Sequence, residues 1–243
     1  MKTRFTAFAT LFVVIALCRV PASFSQESRF TEAFNAARQA AEKDAMSSRS
    51  VVPILKLFDE FKTPVEVAEL EMLLGQFYNQ RTGFVDPAQA VVHLSKALEY
   101  DLPERTRMQA LMWRSGSQEQ LKKYDEALKD LLRYLLMCSY HDLSGGYPPI
   151  EAPKVPIFSG SNSNNPENVE RIKDYNSYRE QISFQSDMLW GRYAAIEGIR
   201  RLQKNTSKTN VDTGKVLEQI SPDASRHKII MQWLNSENKN PNP

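Results

Sequence analysis

Apolar positions along the chain recur at three- and four-residue steps, and no stretch alternates convincingly with period two. That pattern predicts helices throughout and requires no strand. Three segments carry it most plainly: Pro53-Ile54-Leu55-Lys56-Leu57-Phe58, Ala90-Val91-Val92-His93-Leu94-Ser95 and Ala127-Leu128-Lys129-Asp130-Leu131-Leu132. Leu57, Leu94 and Leu131 fall 37 residues apart, and Phe61, Leu98 and Leu135 each add an apolar position one turn later. A constant interval of this length marks one supersecondary unit in three copies.

Each copy is preceded by a partner helix. The first, about Ser28 to Met46, places Phe30, Phe34, Ala37 and Ala41 on one face. The second opens with Thr63-Pro64-Val65-Glu66, a capping box with proline at the first helical position, and continues through Leu70, Leu73, Leu74, Phe77 and Tyr78. The third follows Pro103 with Met108, Leu111, Met112 and Gly116. Asp86-Pro87, Asn165-Pro166 and Ser221-Pro222 repeat the cap-then-proline signature of a helix start. Gly75, inside an otherwise good helix, costs about 1 kcal/mol relative to Ala, so its presence predicts close approach of a neighbouring helix.

Residues 141–165 interrupt the pattern with a Pro/Gly/Ser/Asn-rich loop. Loops this long are uncommon in compact domains and are either functional or linkers. The stiff apolar pieces Tyr147-Pro148-Pro149-Ile150 and Val155-Pro156-Ile157-Phe158 are expected to pack along the chain's own helices. Helix resumes from Glu167 to about Gln203, with shorter helices near Gly214–Ile220 and Asp223–Asn235, and the tail 236–243 is expected to be disordered. The predicted organisation is thus a leader over 1–25, repeats over 26–140, the loop, and a C-terminal helical segment over 166–235 that packs on or caps the repeats.

Lys2 and Arg4, the uncharged run Phe5 to Leu17, and the small residues Ala22, Ser23 and Ser25 read as a secretory signal peptide. Cleavage before Ser23 and before Gln26 both satisfy the small-residue rule, and an uncleaved anchor is the alternative reading. The protein is therefore expected to be secreted or periplasmic, with no integral membrane segment after cleavage. Leu17 is too bulky before Cys18 for a lipidation site.

Removal of Lys2, Arg4 and Arg19 with the leader changes the electrostatic picture. It leaves 28 of the chain's 31 basic residues against 29 acidic ones. A net charge near −1 gives no footprint for nucleic acid. Of the two cysteines only Cys138 then remains, so no intrachain disulfide can form, and its apolar surroundings make it a buried small hydrophobe rather than a nucleophile.

Motifs for chemistry are lacking. The three histidines, His93, His141 and His227, are scattered, and no metalloprotease, nucleophile-elbow, phosphate-loop or dinucleotide fingerprint occurs. His93 is expected to face solvent. Glu66, Glu69 and Glu71 suggest paired carboxylates, but residues two apart on a helix do not share a face, and solvated first-turn charges explain them. Lys122-Lys123 and Arg200-Arg201 read as solvated pairs. No metal or cofactor is expected, and no enzymatic activity.

Ala110-Leu111, Ser115, Tyr124, Glu126-Ala127-Leu128 and Leu131 resemble a tetratricopeptide (TPR) repeat. In that family a small residue packs between the paired helices, and a Tyr and an Ala begin the second. Gln118 stands where the family has an aromatic. Leu74-Gly75, Tyr78, Ala90, Leu94, Ala97 and Pro103 extend the resemblance to the second copy. The sequence from Gly83-Phe84-Val85-Asp86 to Lys96-Ala97 is similar to the Sel1-like subclass, and the first copy matches by period alone. The resemblance spans roughly 28–140 and implies an all-α, TPR-like helical-hairpin solenoid of about three repeats with a C-terminal helical extension. It makes Leu57, Gly75, Tyr78, Ala90, Leu94, Ala97, Ser115, Tyr124, Ala127 and Leu131 repeat-packing residues. It also implies a concave groove lined by first helices, here Glu69, Met72, Gln76, Asn79 and Gln80, then Gln109, Met112, Glu119 and Gln120. These are neutral to acidic, so capture of a peptide carboxylate there is not expected. The resulting expectation is a non-enzymatic module binding a protein or peptide. The alternative is an accessory protein for a small ligand or glycan, with Tyr175, Tyr178, Trp190 and Tyr193 offering stacking surfaces in a pocket between repeats and C-terminal helices.

Overall fold

A computed structural model describes residues 22–43, 49–79, 85–143, 166–205 and 212–236. Those residues form nine helices and no strand. In chain order they are α1 (Ala22–Lys43), α2 (Val52–Glu60), α3 (Pro64–Asn79), α4 (Pro87–Ala97), α5 (Glu104–Gln120), α6 (Tyr124–Leu143), α7 (Pro166–Asn205), α8 (Thr213–Ile220) and α9 (Ala224–Asn235). The signal reading over 1–21, Gln80, the 144–165 part of the loop and the tail from 237 lie outside the described residues.

Local chemistry sets the boundaries. Thr63 and Glu66 form the reciprocal capping box, Thr63 N donating to Glu66 Oε2 at 3.0 Å and Glu66 N to Thr63 Oγ1 at 3.4 Å. Asp86 Oδ1 accepts from the Ala88 and Gln89 amides, both at 3.1 Å, ahead of Pro87. Asp212 and Asp223 cap α8 and α9 in the same way. Two boundaries differ from the expected ones. α1 begins at Ala22 rather than near Ser28, running through both predicted cleavage points, since no Gly or Pro follows Pro21 to stop it. α6 runs to Leu143, into the expected loop, because its first helix breakers are Gly145 and Gly146.

The helices pair as successive hairpins, α1 with α2, α3 with α4 and α5 with α6, each also packing on the next element. First helices touch in series, α1 on α3, α3 on α5 and α5 on α7, so α7 takes the place of the first helix of a fourth pair. This is an all-α helical-hairpin stack. The recurring leucines occupy equivalent places in it, each buried in the second helix of a pair and each in its own core cluster. Leu57 joins Phe30, Ile54 and Leu74; Leu94 joins Ala90, Ala97 and Ala110; Leu131 joins Leu135, Ile196 and Ile199. Ser115, Ala127 and Gly75 are buried, while Tyr78 and Tyr124 are half-buried. At Gly75 an added Cβ would lie 2.5 Å from Leu94 Cγ, so α3 and α4 approach as closely as the glycine suggests.

α7 is long, about 60 Å at 1.5 Å per residue over its 40 residues. Its C-terminal half buries Met188, Ala195, Ile199 and Leu202, whereas no residue from Val169 to Asp187 is buried. α8 and α9 pack on α6. Arg200 donates to the backbone oxygens of Leu234 at 3.1 Å and Ser236 at 2.6 Å. It thereby fastens the negative end of the α9 dipole, rather than lying on a solvated face.

Candidate functional site

The first helices carry the residues assigned to a groove, and the structure distributes them unevenly. Glu69, Gln109 and Gln120 are exposed, and Gln76 is half-buried. Partial desolvation of its carboxyl, then the charges of Glu27 and Glu66, raise the Glu69 pKa. Met72 is 7% exposed and packs with Ala68, Ala90 and Leu94, which makes it a core residue and not a groove lining. Asn79 Oδ1 accepts from Ser117 Oγ at 2.9 Å, tying α3 to α5. Met112 is half-buried beside a small cleft of about 170 Å³ that α7 covers with Phe184 and Met188. Glu119 accepts from Arg201 Nε at 2.7 Å and Nη2 at 2.8 Å, a bidentate pair that spends its carboxylate on α7. On the third repeat's first helix, Met112 and Glu119 are thus used to dock α7.

Two sequence readings on α3 and α4 are corrected. Glu66 and Glu71 are buried, so only Glu69 is a solvated charge. His93, expected to face solvent, has a side chain only 12% exposed. Its Nδ1 lies 2.6 Å from Glu71 Oε2, and its ring stacks on Tyr78 at 5.4 Å and 7°. The register of α4 explains this: Ala90, Leu94 and Ala97 point inward, Val92 outward, and His93 flanks α3. Gln118, where the sequence resemblance leads to the expectation of an aromatic, is buried with its Oε1 unpartnered among the described residues.

A larger concavity lies elsewhere. Between α4, α5 and α6 on one side and α8 and α9 on the other is a cleft of about 590 Å³. Arg107, Arg114, Arg133 and Arg226 line it, with Glu99 and apolar Leu98, Leu111, Leu136 and Ile220. At its base, Asp130 is 1% exposed and accepts from Arg114 Nε and Nη2, both at 2.7 Å, and from Arg133 Nη1 at 3.1 Å. Arg114 Nη1 donates to Ser95 Oγ at 3.0 Å. Arg226 lies over the Tyr140 ring at 5.3 Å.

A pocket between repeats and C-terminal helices therefore exists, but guanidinium groups line it in place of the expected aromatics. Tyr175–Tyr178 and Trp190–Tyr193 pair with each other along α7, outside the cleft. Nothing in the sequence brings Arg226 to the other three; only Arg107 and Arg114, seven apart on one helical face, gave a local signal. Among the described residues no group of three or more His, Cys, Asp or Glu could hold a metal ion, and no helix is long and apolar enough to cross a membrane. Cys138 is buried.

Comparison with protein-family models, with curated proteins and with solved structures finds no match. Architecture alone defines the class: an all-α stack of helical hairpins with an arginine-lined cleft where its last helices meet it.

Proposed function

We propose that the chain is a non-enzymatic, tetratricopeptide-like interaction module that acts outside the cytoplasm and holds a protein or peptide partner. The observation that carries this reading is the serial contact of the first helices α1, α3 and α5, with Glu69 of α3 and Gln109 and Gln120 of α5 left exposed. Stacked hairpins of this kind offer an extended surface rather than a reaction centre. The test is capture from the native envelope fraction by the purified chain, alongside a Glu69→Lys/Gln109→Lys/Gln120→Lys variant. A stoichiometric partner retained by the parent and lost by an equally stable variant supports the reading. Equal capture by both removes these three residues as the binding face.

A second reading has its own observation. The 590 Å³ cleft is within the roughly 300–1,000 Å³ typical of small-molecule sites, which favours a ligand-binding accessory role.

A further inference from the structure

We propose that the cleft between α4–α6 and α8–α9 binds an organic anion: a carboxylate or phosphate head on an apolar body. The inference rests on the ligand-binding reading of that cleft and goes beyond it by naming the chemistry.

A guanidinium carries five N–H groups and no acceptor. Arg114 commits three of its five, two to Asp130 and one to Ser95, and its side chain is held only 14% exposed. The remaining donors belong to a group already oriented by a buried carboxylate, so little rotamer entropy is lost on binding. Arg133 commits one donor, to the same Asp130, and Arg107 one, to Asp101 Oδ1 at 3.2 Å. Asp101 is fully exposed, so that pair is weak and easily exchanged for a ligand. Among the described residues Arg226 Nε is buried without a hydrogen bond; Asp223 Oδ2 lies 3.0 Å away but poorly aligned.

Acceptors are scarce by comparison. Asp130, 1% exposed, already accepts three hydrogen bonds from Arg114 and Arg133, and among the described residues Glu99 is the one carboxylate on the lining. A group entering the cleft meets mostly unused N–H donors, whose planar geometry matches the two oxygens of a carboxylate or phosphate. Leu98, Leu111, Leu136 and Ile220 form the rest of the wall. A bare inorganic anion would leave that surface wet, so the occupant has an apolar part as well.

Calorimetry with octyl phosphate and octanoate below their micelle concentrations tests the proposal, with inorganic phosphate and octanol as single-feature controls. Expected is saturable binding of at least one amphiphilic anion, weaker binding of inorganic phosphate, and none of octanol. Arg107→Gln/Arg133→Gln, which keeps the Arg114–Asp130 pair, is expected to weaken binding about tenfold or more. Should that variant melt early, the parent protein still decides, since its affinity for the anion must fall as salt rises from low to high. Octanol binding as well as octyl phosphate overturns the anion while leaving the cleft a ligand site. Inorganic phosphate binding equally well overturns the apolar body. No binding by any probe overturns both the anion and the ligand-binding reading.

Discussion

Gly75 and Leu94 give the sharpest test of the repeat packing. A Cβ on Gly75 would sit 2.5 Å from Leu94 Cγ and 2.6 Å from Cδ2, with the Leu94 amide nitrogen at 3.3 Å. Carbon–carbon contacts are comfortable at about 3.5–4.0 Å, so the overlap is about 1 Å. Leu94 has no exposed surface and cannot swing away. Overpacking of this kind costs about 1–3 kcal/mol, whereas Gly→Ala in a helix interior gains about 1 kcal/mol. Gly75→Ala should therefore be neutral to destabilising by up to about 2 kcal/mol, against its propensity. Leu94→Ala alone should cost about 2–5 kcal/mol through lost burial and a cavity. In that background the two side-chain carbons are gone and only the amide nitrogen at 3.3 Å remains close, so Gly75→Ala should stabilise by up to about 1 kcal/mol. The coupling between the two sites, about 1–3 kcal/mol, is the signature of direct contact. Urea midpoints followed by far-ultraviolet circular dichroism on all four proteins measure it. If Gly75→Ala stabilises the parent and the Leu94→Ala variant equally, the α3–α4 crossing described above is wrong.

Other perturbations separate packing from charge. Gly116 has no atom within 4 Å of an added Cβ, so Gly116→Ala should stabilise by about 1 kcal/mol; a Cβ at Gly191 would fall inside the buried Tyr134 side chain, so Gly191→Ala should lower the urea midpoint. Asp130→Ala leaves Arg114 without its carboxylate and should cost about 3 kcal/mol, the low end for a broken buried pair because Arg114 opens on the cleft; an unchanged thermal midpoint would refute the pairing. Burial raises the Glu66 pKa, but hydrogen bonds from Thr63, Gln26 and Lys62 outweigh it and hold the carboxyl below its ordinary 4.5. A depressed folded value contributes stability above about pH 4.5 and loses it as pH falls further, so Glu66→Gln should lower stability at pH 7 by about 0.5–2 kcal/mol and by less at pH 3. Glu69 has the opposite sign: its raised value makes the charged form a liability as pH rises, so Glu69→Gln should raise the midpoint at pH 7 and leave it unchanged at pH 3.

Features read correctly from the sequence were those whose cause is local. Thr63-Pro64-Val65-Glu66 and Asp86-Pro87 cap helices through groups two or three residues away, so their spacing alone announces α3 and α4. The 37-residue interval is kept because Leu57, Leu94 and Leu131 are each buried on the second helix of a hairpin. What could not be read locally were contacts between segments. His93 and Glu71 are 22 positions apart, and each looks like a solvated charge until α4 folds onto α3. Glu119 looked like a groove residue because Arg201, 82 positions on, is invisible to a helical pattern. Met72 is the instructive miss: the resemblance marks it for the groove, but α3 is buried over most of its surface, Glu66 and Glu71 included, and Met72 packs with Ala68, Ala90 and Leu94.

The cleft itself follows from how the stack ends. The face of α6 turned away from α5 is covered by α7, α8 and α9. α7 stands as a first helix would in a further hairpin, but among the described residues no long second helix follows it. α8 and α9, with 8 and 12 residues, reach only about 12 and 18 Å, against about 30 Å for the 20-residue α6 they cover. Two short helices joined at Ser221 cannot seal the face that one long helix would. Leu217 and Ile230 close the part over the core, both fully buried, and Ile220 and Arg226 overhang the remainder. Arg107, Arg114 and Arg133 line the part that stays open, where long amphipathic side chains can cover apolar wall while keeping their heads wet. Lengthening α8 with an inserted helical turn should therefore narrow the cleft and abolish anion binding while raising the urea midpoint, and binding unchanged by such an insertion would place the anion site elsewhere.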